Sequence, residues 1–182
     1  MIGFRWFAVA AVVGELTGSI ELDGQAAATA NSSVTIAVRL TAEKTRIPAG
    51  QKVLVDLAIK NLGDLKICIL NASYNFRVHV EGKDGEPPMT EWNRHQHGDF
   101  RPGDGPSLVD GPVVCSDLAP PMEGYEGMSE VHYFDLGQYY DLSVPGRYSV
   151  YMEVRDPTSP SAGPEIWART NTVQFEVEAK AQ

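Results

Sequence analysis

The sequence predicts an all-β fold, an antiparallel β-sandwich of about seven to eight strands with one long irregular loop. Three observations predict it. Apolar residues recur with a period of two in one segment after another, and clusters of Gly, Pro, Asn and Asp separate those segments. No segment keeps a helical period over about three turns. The third is the stretch 134–151, FDLGQYYDLSVPGRYSVY, in which a Pro-Gly pair leads into a strand that opens on a tyrosine.

That stretch sets the type of sandwich. Tyr148, Val150, Met152 and Val154 alternate with Ser149, Tyr151, Glu153 and Arg155, giving one apolar and one mostly polar face. A tyrosine at the head of such a strand matches the tyrosine corner of immunoglobulin-like domains, where the ring packs in the core and the hydroxyl bonds to upstream backbone. Pro145 pre-sets φ for a β-turn, and Gly146 is suited to the positive φ that a type II turn needs next. Antibody-type domains carry a cysteine two residues after the tyrosine; Val150 stands there, so their inter-sheet disulfide is not expected.

The other elements follow in order. Val34, Ile36, Val38 and Leu40 alternate with polar or small residues and make the first strand. Pro48-Ala49-Gly50 turns the chain into a second, with Val53, Val55, Leu57 and Ile59 on its apolar face. Asn61, Gly63 and Asp64 break it, 66–70 is a short strand, and Phe76, Val78 and Val80 mark the next before the Lys83-Asp84-Gly85 turn. From 86 to 130 the pattern dissolves into a stretch rich in Pro, Gly and acidic residues, the long loop of the prediction. Val131, Tyr133 and Leu136 resume the sheet as its apolar positions, with His132, like His79, on the polar side. A second Pro-rich loop covers 156–167, and Val173, Phe175 and Val177 close the domain.

The domain is expected over 34–178. Residues 1–28, with Arg5 before an apolar run and Ala26-Ala27-Ala28 as a cleavage site, resemble a secretory signal peptide, followed by a linker at 29–33 and a tail at 179–182. The apolar run is too short to span a bilayer, so no transmembrane segment is expected after processing and the chain is placed outside the cytoplasm, secreted or in the periplasm or cell envelope. The net charge of −9, without a basic cluster, makes nucleic acid and anionic membranes poor partners. Cys68 and Cys115 are the only cysteines, and in an oxidising compartment they are expected to pair, the alternative being two buried thiols.

The order of motifs resembles a group of exported bacterial immunoglobulin-like β-sandwich domains of uncharacterised function. The residues that carry the resemblance are Ile47-Pro48-Ala49-Gly50, Ile59-Lys60-Asn61, Phe76-Arg77-Val78-His79-Val80 with Lys83-Asp84-Gly85, the segment 135–148, and Thr170-Asn171-Thr172-Val173. Similar pieces occur in the non-catalytic β-domain preceding the protease domain of deuterolysin-type zinc metalloendopeptidases and, more loosely, in bacterial immunoglobulin-like proteinase-inhibitor domains. The resemblance spans 34–177 apart from the long loop and implies a fold, not an activity. That protease needs a His-Glu-x-x-His motif, and the sequence has none.

No catalytic constellation is legible, and neither enzyme activity nor a cofactor is expected. A Gly-x-Ser-x-Gly elbow is absent. His95 and His97 are the best metal candidates, because an H-x-H pair on an extended segment points both rings to one side; without a third histidine nearby they read first as a solvated loop. Asp99, Asp104, Asp110 and Asp117 lack the spacing of a calcium loop. Loop aromatics are the stronger signal, since exposed aromatic residues and arginine anchor interfaces. Trp92, Arg94, Phe100, Tyr125 and Trp167 are the candidate anchors. The expectation is a monomeric, non-catalytic binding module presenting loops 86–130 and 156–167 to another protein, a protease or a cell-surface component. The alternatives are a proteinase inhibitor and a structural accessory domain without its own ligand.

Overall fold

The structure is a computed structural model that describes residues 34–70, 75–99, 101–105, 115–156 and 165–179. The expected leader 1–28, the linker 29–33, Phe100, most of the 156–167 loop and the end of the tail lie outside the described residues.

The fold is all-β. In order the elements are β1 (Ile36–Ala42), β2 (Arg46–Pro48), β3 (Leu54–Asn61), β4 (Ile67–Leu70), β5 (Phe76–Gly82), α1 (Glu91–His97), β6 (Cys115–Leu118), β7 (Ser129–Asp135), a 3-10 turn (Leu136–Gln138), β8 (Gly146–Arg155), β9 (Ile166–Arg169) and β10 (Val173–Glu178). One sheet has the order β1-β3-β7; the other runs β2-β10-β8-β5, with β9 also on β8; β4 and β6 form a separate antiparallel pair. All pairings in the two main sheets are antiparallel except β2 with β10.

The period of two becomes a shared core. Val55, Leu57 and Ile59 of β3, Val78 and Val80 of β5, and Val150, Met152 and Val154 of β8 are buried in one cluster that draws on both sheets. At about 25 cal/mol per Å² of apolar surface, this burial is the main favourable term of folding. Tyr148 behaves as a corner: its ring stacks on Phe175 with centroids 5.5 Å apart, and its hydroxyl donates to the Val144 carbonyl at 2.6 Å. Gly146, however, does not take a positive φ; it opens β8 in extended conformation opposite Val177, so the chain enters the strand without a left-handed residue.

Side chains close two sheet edges. The Asn171 amide accepts from the Leu40 amide at 2.8 Å and donates to the Leu40 carbonyl at 3.0 Å, imitating a neighbouring peptide along β1 and joining the sheets. The Tyr140 hydroxyl donates to the Val78 carbonyl on the outer edge of β5 at 3.0 Å. Thr170 keeps β9 and β10 aligned on β8: its amide donates to the Met152 carbonyl at 2.9 Å and its hydroxyl accepts from the Met152 amide at 2.9 Å.

Three local expectations are corrected. The stretch 86–130 is not irregular throughout, since it contains α1 and β6. Trp167 belongs to β9 and is buried at 8% exposure, so it is a core residue rather than a loop anchor. In β7 the phase is reversed: Val131 and Tyr133 are 45% and 75% exposed, while His132 and Phe134 turn inward against Phe76.

Candidate functional site

The first part of the long segment folds against the domain instead of projecting from it. Thr90 caps α1 by accepting from the Asn93 amide at 3.1 Å, and Gly98, at φ 74°, ends it. Arg94 is an internal tether. Its guanidinium forms a two-pronged pair with Asp104, through Nε at 3.1 Å and through its second terminal nitrogen, and donates to the Met89 carbonyl at 2.7 Å. The same contact holds the Asp104 carboxyl down at about 2, helped by the Arg101 amide. Trp92 lies edge-on to Tyr139 at 5.0 Å and packs on the core. Neither Trp92 nor Arg94 is free to act as an exposed anchor.

The histidine pair also changes character. Residues two apart on a helix point to different sides, so α1 separates the rings that an extended segment would have aligned. His95 is buried at 9% exposure. His97 is brought down to about 4, by burial first and then by the nearby charges of Arg77 and Arg155. Among the described residues no group of three or more His, Cys, Asp or Glu side chains is placed to hold a metal ion.

A charged cluster on the outer face of the second sheet is a structural clamp that sequence reading missed. Glu153, 4% exposed, accepts from Arg155 at 2.6 Å and from Arg169 at 3.0 Å, with His79 at 3.4 Å. Burial pushes its carboxyl up, but the hydrogen bonds from the two arginines prevail and bring it to about 2. Tyr151 stacks on His79 at 4.6 Å, and the Arg169 guanidinium lies over the Tyr151 ring at 4.8 Å. The legible signal was Arg77, His79, Glu153, Arg155 and Arg169 on outward positions of neighbouring strands, but the register that joins them is tertiary.

The second part of the segment does project. Met122 and Tyr125 pair across a tight turn, with amide-to-carbonyl bonds of 3.1 and 2.8 Å and Gly124 at φ 81°. Tyr125 is 77% exposed and, among the described residues, is the one candidate anchor that stands in solvent. Its base is rigid. Asn61, wholly buried, donates from its side chain to the carbonyls of Leu65 at 2.8 Å and Leu118 at 2.9 Å, and its backbone amide donates to the Met128 carbonyl at 3.1 Å. Gly127 passes so close that a Cβ there would lie 2.0 Å from the Asn61 carbonyl oxygen. The Cys68–Cys115 disulfide forms as expected and ties β4 to β6 beside this base, with Cα atoms 5.5 Å apart.

Exposed apolar residues concentrate on the loops at that base and on the adjoining β7. Of the eight large hydrophobic side chains exposed among the described residues, Leu62, Leu65, Met122, Tyr125, Met128, Val131 and Tyr133 lie on β7 or on the two loops that meet at Asn61; only Val144 lies elsewhere. Elsewhere, a concavity of about 460 Å³ sits at the tyrosine corner between Pro87, Pro88, Val144 and Tyr148.

No family model matches the chain, and no curated protein matches it. Among solved structures it is similar to a β-glucosidase from Erythrobacter marinus (TM-score 0.43, 14% identity, covering 79% of this chain and 15% of that one). It is also similar to a β-glucosidase from Listeria innocua in complex with laminaribiose (0.41, 12%, 82% and 17%). A third is the CARDB domain of a Pyrococcus furiosus protein in complex with di-metal ions (0.39, 11%, 81% and 96%). The chain thus spans under a fifth of the glucosidases' length. At these TM-scores the likenesses carry no functional argument.

Proposed function

We propose that the chain is a non-catalytic, exported binding module of immunoglobulin-like type that engages another protein through the rim around Asn61. The observation that carries this reading is the gathering of Met122, Tyr125, Met128, Val131 and Tyr133 in solvent on a base held by Asn61, Gly127 and a disulfide. Contiguous exposed apolar and aromatic groups mark interaction sites, and a rigid base lowers the ordering cost of binding. The disulfide supports export, since such bonds persist in oxidising compartments. No helix among the described residues is long and apolar enough to cross a membrane.

The test is capture from an envelope extract with the wild-type chain and with a Met122→Ala/Tyr125→Ala variant whose circular dichroism matches it. The expected result is a protein retained by the wild type and at least about tenfold depleted with the variant, the loss that roughly 1.4 kcal/mol of lost contact produces. Equal retention by both baits would overturn the rim as the site. If the retained protein is a protease that the chain inhibits, the module is an inhibitor.

A further inference from the structure

Among the described residues four strands end the two main sheets, β1 and β7 in one and β2 and β5 in the other; β9, also open on one side, has four residues and a register shift against β8, too short and irregular an edge to extend. Three are blunted. Asn171 occupies both backbone groups of Leu40 on β1, and Tyr140 occupies the Val78 carbonyl on β5. β2 has only three residues and ends in Pro48. β7 differs: it runs seven residues without Pro or Gly and, among the described residues, is paired on one side only.

The register identifies the backbone groups left over. The Asn61 amide bonds to the Met128 carbonyl, and the Leu136 amide to the Val53 carbonyl. Hydrogen-bonded pairs alternate along an antiparallel ladder. Between those two bonds, Glu130, His132 and Phe134 therefore face β3, opposite Ile59, Leu57 and Val55. The N–H and C=O groups of Val131 and Tyr133 point to the open edge, and among the described residues nothing pairs with them. Their side chains stand on the outer face, beside the apolar rim.

We propose that this edge receives an extended segment of a partner protein, added as a further strand with apolar residues outward and basic residues inward. The proposal rests on the binding reading above and names the mode and partner. Its outward residues would pair across the strand with Val131 and Tyr133, where aromatic and β-branched neighbours stabilise a sheet. The inward preference comes from charge. Around the edge, Glu126 is paired with Lys60 and Asp117 with Lys66, whereas the one ion-pair partner of Glu130 among the described residues is His132 at 3.5 Å, its Oε1 accepting from the neutral Ser116 hydroxyl at 2.9 Å. Its Oε2 is buried and accepts no hydrogen bond among the described residues. Burial lowers the His132 pKa, so Glu130 lacks a permanent cation, in a chain of net charge −9. A second copy of the chain fits less well. The β7 strand of a second copy, Ser129–Asp135, carries no Lys or Arg to set inward beside Glu130.

The test is amide hydrogen exchange by NMR on the full chain. The probe is a capped synthetic peptide alternating lysine with valine and tyrosine; its control has the same composition without the alternation. In the free chain the Val131 and Tyr133 amides should exchange fast while those of Glu130, His132 and Phe134 are protected. With the alternating peptide, Val131 and Tyr133 should slow by at least about tenfold, and the control should leave them unchanged. Val131→Pro removes an N–H that no ladder bond uses, so it should keep the fold and abolish the effect at Tyr133; Tyr133→Pro repeats the test one pair along if the first variant does not fold. No slowing up to millimolar peptide, or binding that survives both prolines, would overturn the proposal. So would concentration-dependent protection without peptide, which would assign the edge to a second copy. A V131P bait that still captures a partner through Met122 and Tyr125 would remove strand addition and leave the rim reading standing.

Discussion

Single polar side chains do much of the work of holding this fold in register. The Tyr148 hydroxyl fixes the corner at one carbonyl, so Tyr148→Phe should cost about 1 kcal/mol, a fall in melting temperature of roughly 2–4 °C for a chain of this size. Asn171 serves a donor and an acceptor of Leu40 at once. Asn171→Ala should therefore cost more, about 2–3 kcal/mol, and expose the Leu40 amide to exchange; urea titration measures the first and NMR the second. An Asn171→Ala variant as stable as the wild type would show that water replaces the amide without loss. The tyrosine was legible because a corner has a local sequence form. Asn171 stood within a recognisable motif, but its partner lies 131 positions away and only the fold reveals it.

Elements divide by whether their pattern carries its own phase. β1, β3, β5, β8 and β10 were readable because each has one clearly apolar face. β7 has the same period with apolar residues on both faces: Val131 and Tyr133 outward, Phe134 inward with His132. Periodicity alone cannot decide which set faces the core. α1 was missed because seven residues span only two turns; its signal was the cap, Thr90 at one end and Gly98 at the other. β9 is four residues long and follows a Pro-rich stretch. The disulfide pins β4, another four-residue strand, to β6 and spans a separation of 47 residues. On the chain-entropy model, Cys68→Ala/Cys115→Ala should lower stability by about 4 kcal/mol. A midpoint unchanged in urea would mean that β4 and β6 hold together without the bond. Of the candidate site, Tyr125 was legible from exposure-prone loop composition, whereas Met122, Met128 and Tyr133 acquire meaning only when Asn61 brings two loops and a strand together.

At the scale of the whole molecule, the ionisable groups make acid the weak side of stability. His97 takes up a proton near 6.5 when unfolded but only near about 4 when folded. The unfolded chain therefore binds more protons between those values, and stability should fall as pH drops from 6.5 towards 4. Burial lowers His79 and His132 as well, adding to the same limb. Glu153 continues the decline: unfolded it protonates near 4.5, folded only near about 2, so its contribution is complete above 4.5 and is lost between the two. Melting temperatures from pH 7 to 2 should fall steadily, and His97→Gln should flatten the limb between 6.5 and 4. A variant whose profile overlays that of the wild type would remove His97 from this account.

The disulfide has a further consequence for how the chain withstands a protease. Because Cys68 and Cys115 are joined, all of β5 and α1 lie on a closed covalent ring. An endoprotease that cuts once anywhere on that ring sheds nothing: both new ends stay attached to one molecule, β5 stays on β8, and the Asn61 base keeps its loops. Damage there would go unnoticed on a non-reducing gel and appear as two bands only after a reductant is added. A cut in the turn between Met122 and Tyr125 lies off the ring, and reductant-free separation would then depend on the sheets alone. The chain is thus built to survive nicking between Cys68 and Cys115 while leaving the exposed turn at Tyr125 unprotected.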